Sequence, residues 1–90
     1  MDRVCKGMFA ISKAGHDFRK LYMIVDFDEE YVYLCDGKLR KIDNPKKKKY
    51  KHIQVVKMVP EEIGKAFEEG TGPDDIEIRK AIHAFGNRFV

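Results

Sequence analysis

The stretch that decides the fold is LYMIVDFDEEYVYLCDGKLRKI, residues 21–42. Leu21 to Phe27 is apolar on both faces, the mark of a strand buried on two sides, and Asp28-Glu29-Glu30 is a charged turn that ends it. Tyr31 to Cys35 then alternates, Val32 and Leu34 against Tyr31, Tyr33 and Cys35, so it is expected to pair back antiparallel with one face in a core. Asp36-Gly37 is the dipeptide preferred in a two-residue type I′ hairpin turn, which requires positive φ at both central residues. On that reading Lys38 to Ile42 is the return strand, with Leu39 in the core and Lys38, Arg40 and Lys41 aimed by the pleat.

Working outward toward the N-terminus, Met8 to Ser12 is a strand with Phe9 and Ile11 on one face. Lys13 to Lys20 breaks it with a turn in which Gly15 can take positive φ. Toward the C-terminus, Asp43-Asn44-Pro45 is loop chemistry. Four consecutive lysines cannot share one face, so Lys46 to Lys49 reads as a mobile, solvated arm leading through Tyr50, Lys51 and His52 to a last strand, Ile53 to Val56. About five short strands with tight turns favour a small bent barrel over a flat sheet with open edges. After Val59 the period changes to that of a helix. Pro60, Glu61 and Glu62 suit a helix start, Ile63, Ala66 and Phe67 share a face, and Gly70 stops the run, giving a helix over 60–69. Asp74 and Glu77 have the spacing of a capping box; Ile78, Ala81, Ile82 and Phe85 line the second helix, and Gly86 reads as its stop. The fold class is thus mainly β with C-terminal α: a small β-barrel over 1–57, then two short helices over 58–90 packed on the same domain.

Charge is concentrated. Between Lys38 and His52 lie eight of the chain's 18 Lys and Arg, against the single acid Asp43, a local +7. The whole 90-residue chain is +3, which leaves −4 for everything else. A mildly acidic body carrying one cationic segment is a surface aimed at a polyanion. Lys38, Arg40 and Lys41 on the strand, Lys46, Lys47, Lys48 and Lys49 on the arm, and Tyr50, Lys51 and His52 beyond it are the candidate binding residues. Lys13, Gly15, His16, Arg19 and Lys20 in the first turn form a second group. Arg40 has the planar fork that grips a phosphate bidentately, or it pairs with Asp26 or Asp28 across the sheet. Tyr31, Tyr33 and Tyr50 are candidates either for stacking on bases or for packing within the sheet.

Other chemistry is not indicated. Ser12, Cys5, Cys35 and the three histidines form no catalytic or metal-ligand pattern, so neither enzyme activity, a metal nor a cofactor is expected. The longest apolar run is too short to span a bilayer and the first residues lack a signal-peptide core, so the expected location is cytoplasmic, with both cysteines free and no membrane partner.

The segment Gly7 to His52 resembles the KOW domains of a bacterial family of RNA-binding proteins similar to certain large-subunit ribosomal proteins of archaea and eukaryotes. The resemblance is carried by SerLysAlaGlyHisAsp (Ser12 to Asp17) after an apolar strand and by AspGlyLysLeuArgLysIleAsp-x-Pro-Lys-Lys-Lys (Asp36 to Lys48); AspIleGluIleArgLysAlaIle (Asp75 to Ile82) is similar to the family's closing helix. The KOW pattern commonly places a second glycine shortly after the first, where this chain has Phe18-Arg19. The resemblance implies an SH3-like barrel that binds RNA, ribosomal RNA in particular, without catalysis. On this expectation the protein is a cytoplasmic ribonucleoprotein component, a monomer when free, with ribosomal proteins as further candidate partners. The alternative is a protein-interaction module that docks a partner through its C-terminal helices.

Overall fold

The structure, a computed structural model, describes residues 4–89. In chain order it contains β1 (Phe9–Ser12), β2 (Leu21–Phe27), β3 (Tyr31–Cys35), β4 (Lys46–Lys49), a single 3₁₀ turn (Tyr50–His52), β5 (Ile53–Val56), α1 (Glu61–Glu68) and α2 (Asp75–Phe89). The strands form one antiparallel sheet in the order β4-β3-β2-β1-β5. The doubly apolar β2 is its middle strand, and its side chains enter a core cluster on each face of the sheet. Tyr22 and Ile24 enter one cluster with Ala10, Val32, Leu34 and Ile53. Met23 enters the other, with Phe9, Cys35, Ile63 of α1 and Ile78 of α2.

The helices therefore spend their apolar faces on the sheet. Ile63 and Ile78 are fully buried, and the ring of Phe85 stacks on Phe9 with centroids 4.4 Å apart. α1 begins after Pro60 with Glu61 and Glu62 in its first turn, and Gly70 ends the segment at φ 104°. α2 opens on a complete capping box: the Glu77 amide donates to Asp74 Oδ1 at 2.8 Å and the Asp74 amide to Glu77 Oε1 at 3.0 Å.

Three expectations are corrected. Lys38 to Ile42 is not a strand. The Asp36 carboxylate accepts the amides of Lys38 and Arg40, both at 2.8 Å, and so offers this backbone a local alternative to the ladder. The result is a ten-residue connection rather than a two-residue hairpin turn, and Leu39 lies 80% exposed on it. The fourth strand is instead the lysine run itself, Lys46 to Lys49, paired with β3 from Leu34↔Lys46 to Tyr31↔Lys49. Finally, α2 does not stop at Gly86 but runs to Phe89. A mid-helix glycine costs about 1 kcal/mol relative to alanine, and packing of this helix on the sheet outweighs it.

Candidate nucleic-acid interface

Pairing with β3 gives each lysine of β4 a fixed side of the sheet. Lys46 and Lys48 stand opposite Leu34 and Val32 and share their inward face, whereas Lys47 and Lys49 stand opposite Tyr33 and Tyr31 and face outward. An inward-facing ammonium needs a counterion, and the first turn supplies it. Asp17, with a side chain only 8% exposed, takes Lys46 Nζ on Oδ2 at 2.8 Å and Lys48 Nζ on Oδ1 at 2.7 Å. Lys48, itself 10% exposed, also donates to Ser12 Oγ at 2.7 Å and to the carbonyl of Ala14 at 3.0 Å. The hydroxyls of Ser12 and Tyr22 complete the cluster by donating to Asp17 at 2.9 and 3.0 Å. Burial alone would raise the Asp17 pKa; the two ammonium groups and two hydroxyls outweigh it and hold the carboxyl well below the usual carboxylate range. Tyr22 moves the opposite way, pushed up by burial and by its bond to the Asp17 charge.

The first turn is tied down at both ends. Its backbone bonds run from Arg19 N to Ser12 O (2.7 Å), Ser12 N to Lys20 O (3.0 Å) and Lys13 N to His52 O (2.8 Å), the last joining it to the 3₁₀ turn. Gly15 has positive φ, 85°, as anticipated. Arg19 has φ 70°, a left-handed conformation that costs a non-glycine residue about 1–2 kcal/mol. The chain thus places an arginine where its backbone adopts a glycine-like conformation. The side chains of Lys13, His16 and Arg19 are exposed, with the Arg19 guanidinium 5.4 Å from the centroid of the exposed Phe18 ring.

The connection after β3 is equally fixed. Lys20 Nζ meets Asp36 Oδ2 at 2.7 Å, which links the first turn to this loop. Burial raises the Asp36 carboxyl, but Lys20 and the two loop amides more than offset this and leave its pKa lowered. Gly37, at φ 76°, packs on the start of α2 so closely that a Cβ would collide with the carbonyl oxygen of Asp75. Arg79 donates to the Gly37 carbonyl at 3.3 Å and the Ile42 amide to Asp75 Oδ1 at 2.8 Å. Lys38 and Lys41 project into solvent from this anchored loop, and Arg40 is half-buried.

The predicted residues therefore divide. Lys20, Lys46 and Lys48 are consumed in internal ion pairs. Among the described residues, Lys13, Arg19, Lys38, Arg40, Lys41, Lys47, Lys49 and Lys51 form no ion pair, so Arg40 pairs with neither Asp26 nor Asp28. Lys51 is exposed and His52 half-buried beside it. Tyr50 packs on the inner cluster and donates its hydroxyl to the Asp28 carbonyl at 2.7 Å. Tyr33 donates to Asp28 Oδ2 at 2.9 Å, and Tyr31 lies under the Lys47 ammonium, 4.1 Å from the ring centroid. Sequence reasoning missed Asp17 and Asp36, the two carboxylates that gather the basic segments, as well as Arg79 and His83 of α2. Lys48 lies 31 residues from Asp17 and Gly37 lies 42 residues from Arg79, and local pattern carries no signal of that.

No cluster of His, Cys, Asp and Glu able to hold a metal occurs among the described residues, and no helix is long and apolar enough to cross a membrane. No protein-family model matches the chain, and no curated protein matches it.

Proposed function

We propose that this protein is a non-catalytic RNA-binding module, directed to ribosomal RNA and acting on the ribosome or its assembly. The observation that carries the proposal is the two-sided β4: Asp17 anchors Lys46 and Lys48, and this holds Lys47 and Lys49 outward on a rigid strand. The same carboxylate draws the turn bearing Lys13, His16 and Arg19 onto β4, and Lys20–Asp36 adds the loop bearing Lys38, Arg40 and Lys41. The basic first turn is thereby joined to the loop and strand of the later basic segment in one fixed array. Prearranged cations lose less side-chain freedom on meeting a phosphate backbone than a floppy arm would. Arg19 is kept in a strained conformation, a cost that a side chain used for binding explains.

The KOW resemblance supports RNA as the polyanion and an SH3-like barrel as the way to read the five-stranded sheet. A three-residue link between the two edge strands, β4 and β5, fits that reading. If about six of the exposed cations each neutralise a phosphate, log K should fall with log salt at a slope of about −4 on single strands. Partner docking through the helices has less support, since their apolar faces are already buried on the sheet.

Ultraviolet crosslinking in cells followed by sequencing of the attached RNA tests the proposal. The expected result is enrichment of defined ribosomal RNA segments. Crosslinking no greater than that of a charge-matched control protein would overturn it.

A further inference from the structure

α2 borders a groove that the basic segments alone do not define. It has a volume of 340 Å³ and lies between the loop after β3 and the helix, lined by Lys20, Leu21, Lys38, Arg79, Ile82 and His83, with Asp36 in its wall. Asp36 is already neutralised by Lys20 and by two loop amides, which leaves Lys38 and Arg79 as exposed cations with no ion pair among the described residues. Arg79 gives one N–H to the Gly37 carbonyl. That bond positions its planar fork at the groove, and further N–H donors remain for an anion. His83 adds a ring one turn further along the same helix face. Leu21 and Ile82, both half-buried, contribute an apolar wall.

We infer that this groove takes an unpaired nucleotide of the bound RNA, with its phosphate between Lys38 and Arg79 and its ribose or base against Leu21 and Ile82. The inference rests on the RNA-binding reading above and adds a preference for unpaired over paired RNA. A bare anion site would need no apolar wall. The volume sits at the small end of the roughly 300–1,000 Å³ range of small-ligand sites, enough for one residue of a strand but not for a helix. Splayed-out nucleotides are also where proteins read RNA, because the bases of a duplex are stacked away.

The test uses the full chain. In amide-resolved NMR titrations, adenosine monophosphate should shift Lys38, Arg79, Ile82 and His83, whereas inorganic phosphate should act more weakly and leave Ile82 unmoved. In binding assays, the double variant Arg79→Gln, His83→Gln removes the phosphate contact and the aromatic ring that lies beside the base, and should lose about tenfold in affinity for a hairpin with a bulged nucleotide, the order of one lost base contact. Its affinity for the fully paired hairpin should fall only about twofold to threefold, the share of a single phosphate contact. Arg79→Lys, which keeps the charge, should restore part of the loss, and an unchanged Tm in the double variant shows that folding is not the cause. Equal shifts with phosphate and nucleotide, or equal loss for both hairpins, would overturn the inference and leave the RNA-binding reading standing. Stronger groove shifts with an acidic peptide than with the nucleotide would also overturn it. A wild-type protein that binds neither hairpin would remove both.

Discussion

Replacing Asp17 by Asn keeps the shape of the side chain but takes the counterion from Lys46 and Lys48. Lys48 is the more consequential partner, because its ammonium is almost as buried as the carboxylate and would be left with only neutral acceptors, Ser12 Oγ and the Ala14 carbonyl. Removing one member of a buried pair typically costs about 3–5 kcal/mol; with Lys46 partly exposed the lower end applies, so the expected loss is about 3 kcal/mol. Against a total stability of roughly 5–15 kcal/mol this is a large share. In a domain of this size about 1 kcal/mol moves Tm by 4–8 °C, so thermal unfolding followed by circular dichroism should show a drop of more than about 10 °C. The pH dependence has a definite sign. The folded carboxyl titrates below its unfolded value of about 3.9, so its stabilisation is fully present above that value and is lost as pH falls through it toward the folded pKa. Asp17→Asn should therefore lose less stability than wild type on acidification from pH 5 to 2. A double-mutant cycle with Lys48→Met should give a coupling of at least about 1 kcal/mol, since removing both charges leaves neither stranded. A Tm within 3 °C of wild type, or additive single mutants, would refute the view that Asp17 holds β4 in place.

Three further outcomes are expected. Gly37→Ala should destabilise more than Gly70→Ala, because both glycines have positive φ but only at Gly37 would the new Cβ strike the backbone of α2; urea unfolding compares them, and amide exchange at Ile42 should quicken in the former. Arg19→Gly should leave stability within about 1 kcal/mol of wild type, as relief of left-handed strain offsets the greater freedom of the unfolded chain, yet weaken RNA binding; urea unfolding and anisotropy titrations report the two effects separately. The buried Cys35 thiol is pushed up to about 12, chiefly by burial and then by neighbouring carboxylates, whereas Cys5 is exposed; a thiol reagent at pH 8 should label one cysteine in the native protein and two in denaturant.

The parts of the fold legible in the sequence were those whose cause is local. Alternation in Tyr31–Cys35, apolarity on both faces of Leu21–Phe27, the Asp74/Glu77 capping box and the Gly70 stop each reflect contacts within a few residues or a plain burial pattern. β4 was not legible, because a run of four lysines has no visible period. Its inside and outside are set by Asp17 and Leu34 on one face and by the tyrosines on the other. Asp36-Gly37 misled for a related reason: the dipeptide suits a hairpin turn, but here the Asp36 carboxylate binds Lys38, Arg40 and Lys20 while Gly37 seats against α2. The same division holds for the candidate interface. Charge density located the basic segments, but which cations are spent internally depends on carboxylates far away in the chain. Arg79 and His83 were overlooked because α2 showed only its packing face in the sequence pattern.

The most direct test of the central claim, that β4 is a strand with a structural and a functional side, is the salt dependence of binding to a structured ribosomal RNA fragment. Lys47→Gln, Lys49→Gln and Lys51→Gln combined should lower Tm by only a few degrees, through loss of the exposed Lys47–Tyr31 contact, and make the slope of log K against log salt shallower by about 2, as three phosphate contacts are lost. Lys48→Met should instead lower Tm while removing no phosphate contact of its own, so below its unfolding range the slope should match wild type. An unchanged slope in the triple variant, or a slope that falls with Lys48→Met in protein shown to be folded, would contradict the claim.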